Sequence, residues 1–392
     1  MSTLNVTTIQ TANGTTDLTL RTGNTSGPVI VVGANGSFTY SNVNSFSVGS
    51  NVSVTTSALS IGNSSVNTVA NSTTFAINGN NISPVQSFRN KIINGNFDYW
   101  QRGTSNTNVA LGQYLADRWI SAPNGSTSNV SRQSFTLGQT SVPNEPTYFH
   151  RTIVTSFANT TAYNVFSQKI ESVRTLAGQT ATLSFWAKAD ASKNIAIEFA
   201  QYFGTGGSPS SEVNTIGVTT CALTTSWQKF TITTNIPSIS GKTLGSDNND
   251  SLNINFWFDA GSTYNSRTNS LGQQSGTFDI AQVQLEAGSV ATPFEMRPLG
   301  TELALCQRYY SINSGIGDYY ATVAGEVFAT ILPFRVDMRS IPSLSQDASP
   351  QTTNITSQTF NRTTKFGTGF QLTATSVVRA YWYGSIIADA EL

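Results

Sequence analysis

Leu252-Asn253-Ile254-Asn255-Phe256-Trp257-Phe258-Asp259-Ala260 decides the fold class. A period of two puts Leu252, Ile254, Phe256 and Phe258 on one face and Asn253, Asn255, Trp257 and Asp259 on the other, which is the pattern of a half-buried β-strand. The same reading extends to the stretches before it. Thr180–Ala187 turns Ala181, Leu183 and Phe185 one way and Thr182, Ser184 and Trp186 the other. Asn194–Phe203 has Ile195, Ile197, Phe199 and Phe203 on its core side, with Glu198 and Tyr202 opposite. Further strands are expected at Ile92–Ile93, Phe97–Trp100, Arg118–Ile120, Tyr148–Val154, Asn164–Ile170, Gln228–Thr234 and Thr277–Leu285, separated by Gly, Asn, Ser and Pro turns. So many short strands without a convincing helix predict a jelly roll of two packed sheets over residues 88–300, its first and last segments side by side.

Composition narrows the function classes. The chain has 392 residues, 38% of them hydrophobic and 10% aromatic, enough for two or three packed domains. Charged residues make up only 11%, and Ser, Thr, Asn and Gly take their place, unlike a typical cytosolic enzyme. Twenty-one basic residues balance 21 acidic ones, so no electrostatic footprint for nucleic acid is present. Cys221 and Cys306 lie too far apart in sequence for a disulfide framework or a zinc signature and read as buried free thiols. The residues after Met1 are polar, and no apolar run approaches the ~20 residues of a membrane span. The expectation is a soluble protein with no membrane insertion and no ordinary export signal.

Residues 1–87 carry one theme of apolar, polar, apolar and then a Gly/Asn turn, at Phe46–Gly49, Leu59–Asn63 and Phe75–Asn80. A hairpin is expected between Val29–Gly33 and Phe38–Tyr40. Such repeats cannot bury an apolar stripe alone, whereas three chains side by side can. The expectation is a homotrimeric β-rich shaft with Phe46, Val48, Leu59, Ile61, Phe75 and Ile77 toward the axis, and roughly residues 1–30 as a docking arm. A Ser/Thr/Asn linker is the alternative.

On the non-core faces, Trp186, Tyr202 and Trp257 stand among Glu198, Asn253 and Asn255. Aromatic faces stack on the C–H faces of a pyranose while amides and carboxylates take its hydroxyls, so these six residues are candidate glycan contacts. The competing reading packs them against a loop or another subunit. Asp98 and Asp279, at the two bookends, would supply hard oxygens for a structural calcium ion if those segments pair; salt bridges near Arg102 or Arg297 are the alternative.

Four motifs carry a family resemblance: Asn94-Gly95-Asn96-Phe97-Asp98, Tyr114–Trp119, Leu183–Lys188 and Phe278–Glu286. Together they resemble a domain common in bacteriophage tail fibres, especially of marine and cyanobacterial phages, which is similar in turn to carbohydrate-binding-module jelly rolls. The resemblance covers residues 88–310. It implies a calcium held at the positions of Asp98, where Glu is commoner in the family, and Asp279. It also implies a virion-surface fibre, assembled in the host cytoplasm, that meets host surface glycan and joins a phage tail or capsid protein through its N-terminus. A structural head or tail fibre without a sugar site is the alternative.

Residues 301–392 begin with an expected helix at Thr301–Tyr310, its stripe formed by Leu299, Leu303, Cys306 and Tyr310. Strands are expected at Tyr319–Val323, Val327–Leu332, Ser343–Ser345, Phe366–Ala374 and Val378–Ile387, enough for a small antiparallel sandwich. Tyr381-Trp382-Tyr383 is the densest aromatic patch and reads either as a receptor-contacting tip or as interface core. No catalytic motif surrounds a Ser, the one histidine, His150, sits in an apolar strand, and no phosphate-binding loop occurs. The fold expected is therefore all-β, in three parts (1–87, 88–300 and 301–392), and the protein non-enzymatic.

Overall fold

The computed structural model describes strands within residues 18–81, and residues 88–346 and 350–392. The chain divides into two compact units, Met1–Ser87 and Phe88–Leu392. In the first, β1 (Leu18–Arg21), β2 (Val29–Val32) and β3 (Phe38–Ser41) form one antiparallel sheet. Val29 pairs with Ser41 and Val32 with Phe38, which is the expected hairpin. The strands β4 (Ser45–Val48), β5 (Val52–Thr55), β6 (Ala58–Gly62), β7 (Asn67–Asn71), β8 (Phe75–Ile77) and β9 (Asn80–Asn81) follow one another as a six-stranded meander. Each strand-turn repeat therefore bonds to its sequence neighbour within one chain. The side chains expected to face a trimer axis, from Phe46 to Ile77, lie outside the described residues.

The second unit opens with a β-sandwich. One sheet is ordered β10-β13-β14-β21-β16-β19, from β10 (Ser105–Asn106), β13 (Ser126–Ser134), β14 (Tyr148–Ser156), β16 (Thr180–Ala189), β19 (Gln228–Asn235) and β21 (Gly276–Ala287). The other is ordered β11-β12-β15-β20-β17-β18, from β11 (Gln113–Tyr114), β12 (Trp119–Asn124), β15 (Tyr163–Glu171), β17 (Lys193–Tyr202), β18 (Val213–Leu223) and β20 (Ser251–Ala260). The expected inward residues do fill the space between them. Leu183, Phe185, Ile195, Ile197, Phe199, Leu252, Ile254, Phe256 and Phe258 have no exposed surface. Each such side chain contributes about 1.5–3 kcal/mol of burial, which sets the register of every strand.

The bookends lie together, though by a different device from the one expected. Ile92–Ile93 and Phe97–Trp100 are turns and irregular chain, not strands. They still bond to β21: the Lys91 N–H donates to the Leu285 carbonyl at 2.8 Å, and the Val283 N–H to the Gly95 carbonyl at 2.9 Å. The Asn90 side chain adds two bonds, to Val283 and Leu285. Gly95 fits because a Cβ there would lie 2.1 Å from the Val283 carbonyl oxygen.

Beyond the sandwich, α2 (Leu299–Gln307) is shorter than expected, and Tyr310 begins β22 (Tyr310–Tyr320). The expected stripe is buried only in part: Cys306 and Tyr310 are buried but Leu299 is 62% exposed, and the polar Glu302 and Gln307 are buried beside them. Two small sheets follow. β22, β28 (Arg379–Asp389) and β24 (Ser343–Gln346) form one, with β25 (Gln351–Thr353) also pairing with β28. The other is β23 (Val327–Pro333), β27 (Gly367–Ala374) and β26 (Ile355–Asn361), in that order. Leu332, Phe370, Leu372, Trp382 and Ile386 form the core that joins them. The expected strand at Tyr319–Val323 is the end of β22 followed by a turn.

A cleft on the outer face of the second sheet

The candidate glycan residues divide between two sheets. Glu198 and Tyr202 on β17, with Asn253, Asn255 and Trp257 on β20, share one outer face, and Glu198 pairs directly with Asn255 in the ladder. Trp186, on β16, belongs to the opposite sheet, so the three candidate aromatics do not share one face. Tyr202 sits opposite Ser251, at the far end of the β17–β20 ladder from Trp257.

Glu198 and Trp257 are covered, with 0% and 3% exposure. The Glu198 carboxylate accepts five hydrogen bonds. Arg267 grips it with two, at 2.7 and 2.8 Å. The Asn255 amide and the Trp257 indole N–H each donate at 3.1 Å, and the Thr215 N–H at 3.0 Å. A register shift between Ile197 and Phe199, with Thr215 at φ 60°, brings that last N–H to the carboxylate instead of the ladder. Burial opposes the charge on Arg267, but the Glu198 hydrogen bonds together with the charges of Glu198 and Glu212 and a smaller contribution from Tyr264 raise the guanidinium pKa. Arg267 also stands 5.0 Å over the Trp257 ring. Glu198 is thus a brace beneath the surface, while Trp257, largely covered, still lines the cleft above it.

What lies open above the brace is a cleft of about 380 Å³. Tyr163, Val165, Ser167 and Lys169 of β15 and Asn253 and Asn255 of β20 form its floor, and Tyr264, Arg267 and Glu212 rise at one side. Tyr264 belongs to the short helical turn Ser262–Tyr264 that precedes α1 (Asn265–Thr268). It packs on Tyr163 and Trp257, with ring centroids 5.2 and 5.3 Å apart. The segment carrying it is held by Gly261 N–H to the Ala162 carbonyl and Thr263 N–H to the Thr160 carbonyl. At the other end, Tyr114 and Lys169 both donate to the Leu392 carbonyl, at 3.0 and 2.9 Å. Sequence reading missed Tyr163, Ser167 and Lys169, although their alternation along β15 carried the signal. For Tyr264, Arg267 and Glu212 no local signal existed.

The two carboxylates expected to hold one calcium ion are not brought together. Both Asp279 oxygens are occupied by Arg151, at 2.7 and 2.8 Å, with Lys188 at 3.6 Å. A divalent cation there would meet two positive side chains. Asp98 lies elsewhere, on a cavity of about 200 Å³ lined also by Asn96, Glu145, Glu295, Arg297 and Glu302, but not by Asp279. Burial raises its pKa, against the hydrogen bond from Asn96, and the charge of Glu302 adds to the rise. Among the described residues no group of three or more His, Cys, Asp or Glu side chains is placed to hold a metal.

The tip residues also separate. Trp382 is fully buried, 4.5 Å from the Phe370 ring, while Tyr383 is 48% exposed on the opposite face of β28 and Tyr381 is half-buried beside it. Trp382 is therefore core, not contact surface. His150 is buried, stacked at 3.7 Å on Phe166.

No family model matches the chain, and no curated protein does. Among solved structures it is similar to a family 11 carbohydrate-binding module from Clostridium thermocellum in complex with a β-1,3-1,4-mixed-linked tetrasaccharide. That match has 14% identity, covers 48% of this chain and 99% of the module, and has a TM-score of 0.29. It is similar also to a xylan-binding domain from Paenibacillus barcinonensis (12% identity, 48% of this chain, 98% of the domain, TM-score 0.26). A third is the N-terminal cellulose-binding domain of β-1,4-glucanase C from Cellulomonas fimi (14%, 43% and 91%, TM-score 0.27). Likenesses of this size say nothing of what this chain binds.

Proposed function

We propose that the cleft over β15 and β20 binds a glycan. The observation that carries this reading is the open arrangement itself: Tyr163 and Tyr264 beside Asn253, Ser167, Lys169 and Glu212, on a floor supported by the Glu198–Arg267–Trp257 brace. Tyrosine rings give a pyranose an apolar platform, and the polar groups supply both donors and acceptors for its hydroxyls. A buried ion pair that fixes the supporting side chains keeps such a site from collapsing onto itself. In the wider reading the chain is a fibre protein of a bacteriophage, displayed on the virion surface and adhering to host glycan. The strand-turn repeats of the first unit and the charge-poor, Ser/Thr/Asn-rich composition support it. In that role three chains associate through the first unit and weak single sites gain avidity together.

The test is calorimetric titration of the full chain with oligosaccharides chosen from a glycan array. Tyr264→Ala and Asn253→Ala are each expected to weaken binding at least tenfold, about 1.4 kcal/mol, while the circular dichroism spectrum is kept. Unchanged affinity in both variants would remove the cleft from consideration. Light scattering on the full chain tests the fibre reading separately, with a trimeric mass expected and a monomer contradicting it.

A further inference from the structure

Trp186 has a cleft of its own. On the outer face of the first sheet, about 370 Å³ opens beside it, walled by the Pro143–Asn144 loop on one side and Pro293 and Phe294 on the other. The backbone is bent to make this space. Trp186 pairs with Ala281 just past a register shift in the β16–β21 ladder. The next residue, Gln282, takes φ 47°, and Asn144 takes φ 62°. Bulges of this kind re-aim side chains, and left-handed non-glycine residues are held only where the surroundings demand them. Gln282 ties the two parts together by donating to the Pro143 carbonyl at 2.7 Å.

Among the residues that line this cleft, one side chain is charged, that of Lys229. Lys229 is the direct ladder partner of Trp186, exposed, and forms no ion pair among the described residues. Lys188 and Arg151 lie one row on and share the single carboxylate of Asp279. The acids nearby keep their charge and accept hydrogen bonds, Glu145 from the Gly138 N–H, Glu286 from Thr292, and Glu295 from the Phe88 and Asn90 N–H groups, but none of them lines the cleft. Asn144, Ser184 and Lys229 spend no side-chain polar atom on a partner among the described residues.

We infer that this cleft is a second saccharide site and that its ligand is anionic, a hexuronate-bearing polysaccharide. The indole of Trp186 is the platform for the sugar ring, Lys229 takes the C6 carboxylate, and Asn144 and Ser184 meet ring hydroxyls. The cleft over β15 and β20 differs in carrying both signs of charge, Lys169 and Arg267 beside the exposed carboxylate of Glu212. The two sites lie on opposite sheets, so one copy would hold two polysaccharide chains.

The test is titration of the full chain with oligogalacturonate, and with the same oligomer after reduction of its carboxyls to alcohols. The native oligomer is expected to bind at least tenfold more tightly than the reduced one, with affinity falling as salt rises. Trp186→Ala is expected to lower affinity at least tenfold and Trp186→Tyr less, which separates loss of the platform from loss of fold. Lys229→Gln is expected to abolish the preference for the native oligomer. Tyr264→Ala, on the other sheet, is expected to leave uronate binding within twofold, so failure of either site is distinguishable from failure of the other. Equal binding of native and reduced oligomers, unchanged affinity in Trp186→Ala, or no uronate binding would overturn the assignment.

Discussion

Glu198 holds the outer face of the second sheet in shape. It is fully buried with its charge matched by Arg267, and removing one partner of a buried pair leaves the other uncompensated. Glu198→Ala is expected to lower unfolding free energy by about 3 kcal/mol in urea titration and to loosen Tyr264 with it. His150 makes a pH-dependent contribution. Burial alone pushes its pKa down to about 3, and its ring stacks on Phe166. Between that value and the ordinary histidine pKa near 6.5, the unfolded chain binds a proton that the folded chain refuses. Stability is therefore lost as pH falls through this window, by about 1.4 kcal/mol per pH unit. His150→Phe is expected to remove that component, seen as a flatter melting-temperature profile from pH 6.5 to pH 4; parallel profiles would contradict it. At this scale the sequence showed which side chains point outward but not which are covered. Trp257 alternates outward like Asn253, yet the residues that roof it, Tyr163 and Tyr264, come from a different strand and a loop.

The seam between the opening segment and β21 closes the sandwich. Its side-by-side placement was legible, but its lack of regular strand was not, because Asn90 side-chain bonds stand in for part of a ladder. Gly95→Ala would set a methyl group against the Val283 carbonyl, and is expected to cost on the order of 2–3 kcal/mol and to raise the unfolding rate. A variant as stable as the parent would show that the seam yields freely. Strands with large alternating residues, such as β16, β17 and β20, were readable to within one or two residues. β13 was not, since its buried positions include Ser126 and Ser128, which carry no hydrophobic signal. In α2 the buried side mixes Cys306 with polar residues, because Glu302 serves Asn94 and Arg297 instead of filling a core.

Across the second unit, the small C-terminal sheets are locked to the sandwich by charge. Arg118, almost wholly buried, pairs with Glu391 and lies 3.5 Å over the Tyr309 ring, and Arg102 reaches the same carboxylate at 3.2 Å. Glu391→Ala strands Arg118, while Arg102 keeps Asp389 at 3.5 Å, and is expected to cost about 3–5 kcal/mol, splitting one calorimetric transition into two. A single transition at the parental temperature would contradict this coupling. None of it was legible in sequence, because Arg118 and Glu391 are 273 residues apart. Strand order is non-local in the same way: Trp186 and Trp257 alternate alike along their strands and end on opposite sheets. The measurement that bears most directly on the glycan cleft is hydrogen–deuterium exchange of the full chain with and without a saturating oligosaccharide from the array. Slowed exchange in residues 163–171 and 251–267 is the result expected. Protection confined to other segments, or none at saturation, would contradict it.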